Sequence, residues 1–354
     1  AQLPFDLSQD LMRRATLLCF ANQVHVLIIT AHHIASDAWS SSHFWQELMT
    51  LYTAFSQGKN AALPLPPIQY ADYAIWQRQR LQNETLERLL DYWKGQLTGA
   101  PLLLQLPTDF SRPTVATFQG DRIRFSLSAA LTKALRTLSR QANTTLYMTS
   151  LAAFQTLLYR YTGSHDILVG TPTANRPRPE LEALIGFFVN TLPLRTDLAG
   201  NPPFLDLLQR VRQVALDAFA HQELPFERMV EMLQAERSLA YNPLVQVIFA
   251  LQNMPRIDFE LPDLEVSPIT LASQNVHFDL QMLVREIDDH LQGDCVYRTD
   301  LFERGTIQRL ISNFEQLLMG IVAMPSCPID GFDLLSAAEK KQLLVEWNAT
   351  ATLL

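Results

Sequence analysis

Apolar and polar positions alternate from Arg14 to Phe20 and then give way to the near-continuous apolar run VHVLIIT at 24–30. Alternation at period two marks a strand with one buried face, and an unbroken β-branched run marks a strand covered on both faces. The pair therefore predicts two strands, the second central in its sheet. The period then changes. In SSSHFWQELMTLYTAFSQG (40–58) Phe44, Leu48, Leu51 and Phe55 fall on one helical face, with a serine as N-cap and Gly58 as stop.

A proline-rich connection, LPLPPIQYADYAIW, leads to a second predicted helix at about 84–97. Residues 98–120 hold glycine, prolines and PTDFSRP without a period, and the predicted lobe boundary lies there, dividing 1–105 from 106–333. Beyond it the pattern predicts a strand at 121–126, a helix capped by Ser128, a helix from Thr145 to Tyr161 stopped by Gly163, and a strand in HDILVGTP. Residues 203–235 read as helical with an interruption at HQELPFE, and NPLVQVIFALQN returns to strand character. HFDLQMLVRE and LQGDCVYRTD form a hairpin around DDH, and a helix closes the series at about 303–322. Strands mixed with amphipathic helices, without strict βαβ rhythm, give an α/β sandwich of mixed sheets.

Composition narrows the function classes. With 354 residues, 48% hydrophobic and 18% charged, the chain is globular and long enough for two lobes. A net charge of −8 and no basic block argue against nucleic acid. Cys19, Cys295 and Cys327 are too widely spaced for a disulfide framework or a zinc site, which suits a reducing, cytoplasmic setting. No apolar run approaches bilayer length, and no nucleotide-binding glycine motif occurs.

The candidate chemistry sits in AHHIASDAWS (31–40), where the apolar run ends. If the strand continues through it, His32 and His33 face opposite ways, so one faces a core and the other a cavity. Asp37, four residues after His33, stands where the chain must turn and can accept backbone N–H groups or pair with an arginine. These residues alone leave a core histidine beside a capping aspartate as an equal reading. No third ligand supports a metal.

The stretch resembles the HHxxxDG signature of nonribosomal peptide synthetase condensation domains, within the chloramphenicol-acetyltransferase-like acyltransferase superfamily. YADYAIW (70–76), IGFFVNTLPLR (185–195), HQELPFE (221–227) and RSLAYNPLVQVIF (237–249) resemble that family's further motifs, in order. The resemblance implies two chloramphenicol-acetyltransferase-like lobes in a V-shaped pseudo-dimer, the first incomplete because the family's two motifs before HHxxxDG are absent. The tail LLSAAEKKQLLVEWNAT (334–350) resembles a linker and the start of an adenylation domain, assigned to 334–354.

By the same resemblance the activity is amide-bond formation between a donor acyl or peptidyl thioester and the amine of an acceptor aminoacyl thioester. Both ride on 4'-phosphopantetheine arms of carrier domains, and no cofactor is bound tightly. His33 is the implied catalytic residue, as base or as hydrogen-bonding group for the amine; an imidazole suits either task. His32 is implied to be structural and Asp37 architectural, with Arg195 as its expected ion-pair partner. Ala38 stands where the family has glycine, which would strain the turn if that glycine has positive φ. Trp39, Tyr73 and Trp76 are expected to pack, and Asn190 and Thr191 to lie in the floor of a tunnel. His221 and Glu223 resemble an acid/base pair at what Pro225 marks as a helix start, and 277–284 resembles a crossover bracing the lobes. The partners implied are upstream and downstream carrier domains, the adenylation domain and the absent N-terminal segment. A noncatalytic scaffold that recruits carriers or other proteins is the alternative. An epimerisation domain and a free coenzyme A acyltransferase fit the tail less well.

Overall fold

The structure, a computed structural model, describes residues 3–233, 238–252, 260–269 and 274–348. Along the chain run β1 (Arg13–Ala21), β2 (Val24–Ala31), α1 (Ala38–Ser56), α2 (Tyr70–Arg80), α3 (Asn83–Leu97), β3 (Gln119–Ser126), α4 (Ala129–Gln141) and α5 (Leu146–Thr162). There follow β4 (Asp166–Thr173), α6 (Pro179–Glu182), β5 (Asn190–Asp197), α7 (Phe204–Ala220), α8 (Phe226–Met232) and β6 (Val247–Gln252). The short strands β7 (Glu260–Leu261), β8 (Leu264–Glu265) and β9 (Gln274–Asn275) precede β10 (Leu280–Ile287), β11 (His290–Arg298) and α9 (Arg304–Ala323). Arg237 of the RSLAYNPLVQVIF segment, the end of the helical stretch predicted to 235, and the tail beyond 348 lie outside the described residues.

The chain divides into two units, one of 1–87, 173–190 and 254–270, the other of 88–172, 191–253 and 271–354. This differs from a single break at 105/106. The irregular stretch after α3 is held inside the second unit: the Leu104 N–H donates to Gln246, and Arg112 pairs with Asp279. Residues 173–190 join the first unit because Arg176, Gly186 and Phe188 bond to the start of α1.

In the first unit β1 and β2 form an antiparallel hairpin with no third strand among the described residues. Leu17, Phe20, Val24 and Leu27 are exposed. Among the described residues β2 has one neighbour, β1, where its apolar run predicts neighbours on both edges. Helix α2 is a second departure, since the prolines before it predict a connection. After Pro66 and Pro67, Gln69 and Asp72 form a reciprocal capping box that starts a helix.

The second unit is built on a seven-stranded mixed sheet, β5-β4-β6-β10-β11-β3-β9. β4 and β10 flank β6 in parallel, while β11 pairs antiparallel with both β10 and β3. Residues 277–284 accordingly run into an interior strand of this sheet. The predicted β10–β11 hairpin closes across Ile287 and His290, with Asp288 left-handed at φ 51°. The Ser128 cap and the Gly163 stop read from the sequence hold, and Thr145, read as the start of α5, is its N-cap: Ser128 accepts from the Leu131 N–H, Thr145 from Met148, and Gly163 ends α5 at φ 70°. α5 packs against α7 and α9, and Leu151, Phe154 and Leu157 are fully buried in the core.

Candidate active site

β2 ends at Ala31, so the two histidines do not lie on the strand. His32 instead caps a 3-10 turn, His33–Ala35, its Nδ1 accepting from the Ile34 N–H at 3.1 Å. His33 is exposed, and its ring meets Phe187 edge-on at 5.1 Å. The two side chains have different duties because one is spent on the backbone. Strand alternation is not the cause.

Asp37, rather than a serine, is the N-cap of α1. Its Oδ1 accepts from the Ser40 N–H at 2.7 Å and its Oδ2 from the Phe188 N–H at 3.0 Å. Its ion-pair partner is Arg176, at 3.4 Å, with both side chains almost wholly buried. This corrects the expected Asp37–Arg195 pair. Arg195 spends its guanidinium on Asp166, at 2.9 and 2.7 Å, and on the carbonyls of Gln96 and Thr98. The physical reason is sheet order, because β5 lies beside β4, which Asp166 opens.

Burial alone would raise the Asp37 pKa, but the Ser40 and Phe188 N–H groups, the Ser40 hydroxyl and Arg176 outweigh it and hold the carboxyl below its ordinary value. Arg176 also donates to Ser40 Oγ at 2.8 Å, to the Leu184 carbonyl at 2.8 Å and to the Leu181 carbonyl, and its guanidinium lies over Phe188. Ser40 completes the knot by donating to the Gly186 carbonyl and accepting from the Gly186 N–H. Sequence reasoning singles out neither Arg176 nor Ser40 as a partner of Asp37. The sole local cue is an arginine in the turn-rich TPTANRPRP after β4.

The same loop explains two motifs. Tyr70 donates to the Phe187 carbonyl at 2.7 Å, and Tyr73 with Leu181, Leu184 and Phe188 forms a buried cluster against which Trp76 packs. A Cβ on Gly186 would come 2.2 Å from the Tyr70 ring, so this position has no room for a side chain. Thus YADYAIW and IGFFVN are two halves of one packed contact that presents Phe187 to His33.

Ala38 is the first residue of α1, exposed, and not left-handed, so the anticipated backbone strain does not arise. With Ser40 capped by Asp37, the N–H groups of Ala38 and Trp39 remain without intrahelical acceptors at the positive end of a 19-residue helix. Trp39 donates its indole N–H to the Glu182 carbonyl, a tethering contact. Asn190 opens β5 and is buried, and Thr191 packs against Gly170. His221 caps α7, with Nδ1 2.7 Å from the Asp217 carbonyl oxygen and its ring stacked on Tyr92 at 3.8 Å. Pro225 is the N-cap of α8. Among the described residues no group of three metal-ligating side chains forms, and no helix is long and apolar enough to cross a membrane.

The family model described as "Condensation domain" matches residues 1–344. The chain belongs to the condensation-domain family. This condensation domain is 47% identical over 353 residues to a linear gramicidin synthase of Brevibacillus parabrevis, covering 99% of this chain and 5% of that protein. It thus spans a small fraction of the length of such relatives. Among solved structures, the X-domain of teicoplanin biosynthesis in complex with OxyB superposes with a TM-score of 0.85 at 29% identity, covering 94% of this chain and 75% of that one. A four-domain nonribosomal peptide synthetase bound to AMP and glycine matches in fold, with a TM-score of 0.81 at 23% identity over 95% of this chain and 26% of that one.

Proposed function

We propose that this condensation domain joins a donor acyl or peptidyl thioester to the amine of an acceptor aminoacyl thioester, each held on a phosphopantetheinyl carrier domain. The acceptor nitrogen attacks the thioester carbonyl, a C–N bond forms, the C–S bond breaks, and the thiolate leaves with a proton. The carrying observation is the division of labour at the turn: Asp37, Arg176 and Ser40 are bonded to one another and to backbone, while the His33 imidazole is exposed. His33 accepts the proton or hydrogen bond of the attacking amine. The N-terminal end of α1, where the Ala38 and Trp39 N–H groups have no intrahelical acceptor, favours negative charge on the carbonyl oxygen. A thioester is already activated, so holding two tethered arms in register supplies much of the remaining rate.

The tail from Leu334 is read as the link to an adenylation domain. The exposed hairpin β1–β2 is where a further segment of the same domain would pair, since an uncovered apolar edge invites another strand. Three free cysteines suit a reducing cytoplasm. A second reading, a noncatalytic recruiting scaffold, draws on the likeness to an X-domain held in complex with OxyB.

A single-turnover assay with two loaded carriers tests both. His33→Ala is expected to slow dipeptidyl-carrier formation by about 10²–10⁴-fold with the fold retained. Ala38→Gly should stay within about a few-fold of the parent, because Ala38 has ordinary helical backbone. Carrier binding without product, in the parent and in Ala38→Gly alike, would replace the enzyme reading with the scaffold.

A further inference from the structure

His33 has a fixed backbone and a ring held by little. Its carbonyl accepts from the Ser36 N–H at 3.3 Å, and His32 caps the same turn through the Ile34 N–H. Among the described residues no group hydrogen-bonds its imidazole, whose one aromatic contact is Phe187, edge-on with ring centroids 5.1 Å apart and an interplanar angle of 86°. An exposed imidazole that is free to turn samples several staggered orientations, and a given ring nitrogen meets an attacking amine in only some of them.

Phe187, by contrast, sits on an anchored segment of the same unit. Its carbonyl accepts from Tyr70 Oη at 2.7 Å, Gly186 before it both donates to and accepts from the Ser40 hydroxyl, and the Phe188 N–H after it donates to Asp37. Asp37 and Ser40 follow His33 by four and seven residues, so the segments that carry the two rings are tied to one helix start. Side chains around Phe187 go into the core, where Leu181, Leu184 and Phe188 join the buried cluster with Tyr73. Phe187 itself is 37% exposed and stands outside that cluster. Core packing therefore gives no reason for an aromatic side chain here, whereas the contact with His33 does.

We propose that Phe187 is a positioning residue for the condensation step: its ring holds the His33 imidazole in one orientation, ready for the proton or hydrogen bond of the acceptor amine. The inference rests on the reading of His33 as the group that meets that amine. Edge-on aromatic pairs are directional, because the electron-rich face of one ring attracts the electropositive edge of the other. Leucine at this position would keep apolar bulk and lose the direction, and tyrosine would keep both.

The test compares the whole chain with Phe187→Leu and Phe187→Tyr, each checked by thermal melting, in two readouts. One is the NMR spectrum of protein with isotope-labelled histidine rings, in which the His33 signals are identified by their loss in His33→Ala. The other is single turnover with two loaded carriers at varied acceptor-carrier concentration. The ring-current displacement of the His33 signals should vanish in Phe187→Leu and return in Phe187→Tyr. Phe187→Leu should lower the maximal rate by about 3–10-fold, the worth of an aromatic pair, with the half-saturating carrier concentration changed by less than about twofold. Phe187→Tyr should recover that rate. His33 signals that stay in place in Phe187→Leu, or a maximal rate that this variant leaves unchanged, overturn the inference. So does a loss confined to the half-saturating concentration, which would make Phe187 a contact for the incoming carrier arm. His33 signals that move as expected, with no product even from the parent, would overturn the condensation reading and leave Phe187 assigned as the residue that orients His33.

Discussion

Asp37 and Asp279 are both buried carboxylates paired with buried arginines, yet they hold different kinds of structure. Asp37 touches one guanidinium at 3.4 Å and accepts two backbone N–H groups, so it fixes where α1 begins and where Phe188 docks. Asp279 meets two guanidinium groups, Arg112 at 3.0 and 2.5 Å and Arg298 at 3.2 Å, while Arg298 also grips Asp300. It ties the loop after α3 to the start of β10 and the end of β11. Where backbone amides do most of the holding, the local chain direction is set. Where arginines do it, distant segments are clamped, and the clamp is the more fragile to truncation.

That contrast can be broken by substitution. Asp279→Ala should have the largest effect, roughly 3–5 kcal/mol of stability, because Arg112 loses its carboxylate and buried Arg298 is left with Asp300 and the Ala240 carbonyl. A urea midpoint unchanged from the parent would refute the clamp.

Asp37→Ala is expected to cost less, about 2–3 kcal/mol, as the N-cap and the Phe188 N–H lose their acceptor while Arg176 keeps Ser40 and the carbonyls of loop 181–184. The Asp37 pKa is lowered on folding, so its contribution is fully present above the unfolded value of about 4 and disappears as the pH falls further. The stability gap between parent and Asp37→Ala should therefore narrow as the pH falls below about 4; a gap that stays constant on acidification would remove the carboxylate from the account.

Arg195→Ala should have the smallest effect, about 1 kcal/mol or less, since the Arg195–Asp166 pair is partly exposed. A double-mutant cycle of Arg195 with Asp37 should show no coupling, whereas the Arg176–Asp37 cycle should. Coupling of Arg195 to Asp37 would restore the pairing that the motif resemblance suggested.

What was legible in the sequence follows the range of the interactions. The ends of α4 and α5 were readable because Ser128, Thr145 and Gly163 act within four residues of themselves, and the β10–β11 hairpin because its turn is local. The segment YADYAIW looked like a connection, because prolines masked a capping box whose helix is stabilised by a cluster drawn from 181–188. The apolarity of VHVLIIT was plain, but whether a strand is central depends on what stands beside it.

By itself the sequence determined the mixed α/β class, most element boundaries and the family, since periodicity, caps and ordered motifs are written in neighbouring residues. The tertiary structure alone decided that Asp37 answers to Arg176 and Arg195 to Asp166, that His32 is spent on the backbone while His33 is exposed, and that Gly186 makes room for Tyr70. The reason is combinatorial and physical. A carboxylate attracts every arginine in the chain alike until sheet order and buried packing bring one guanidinium within reach.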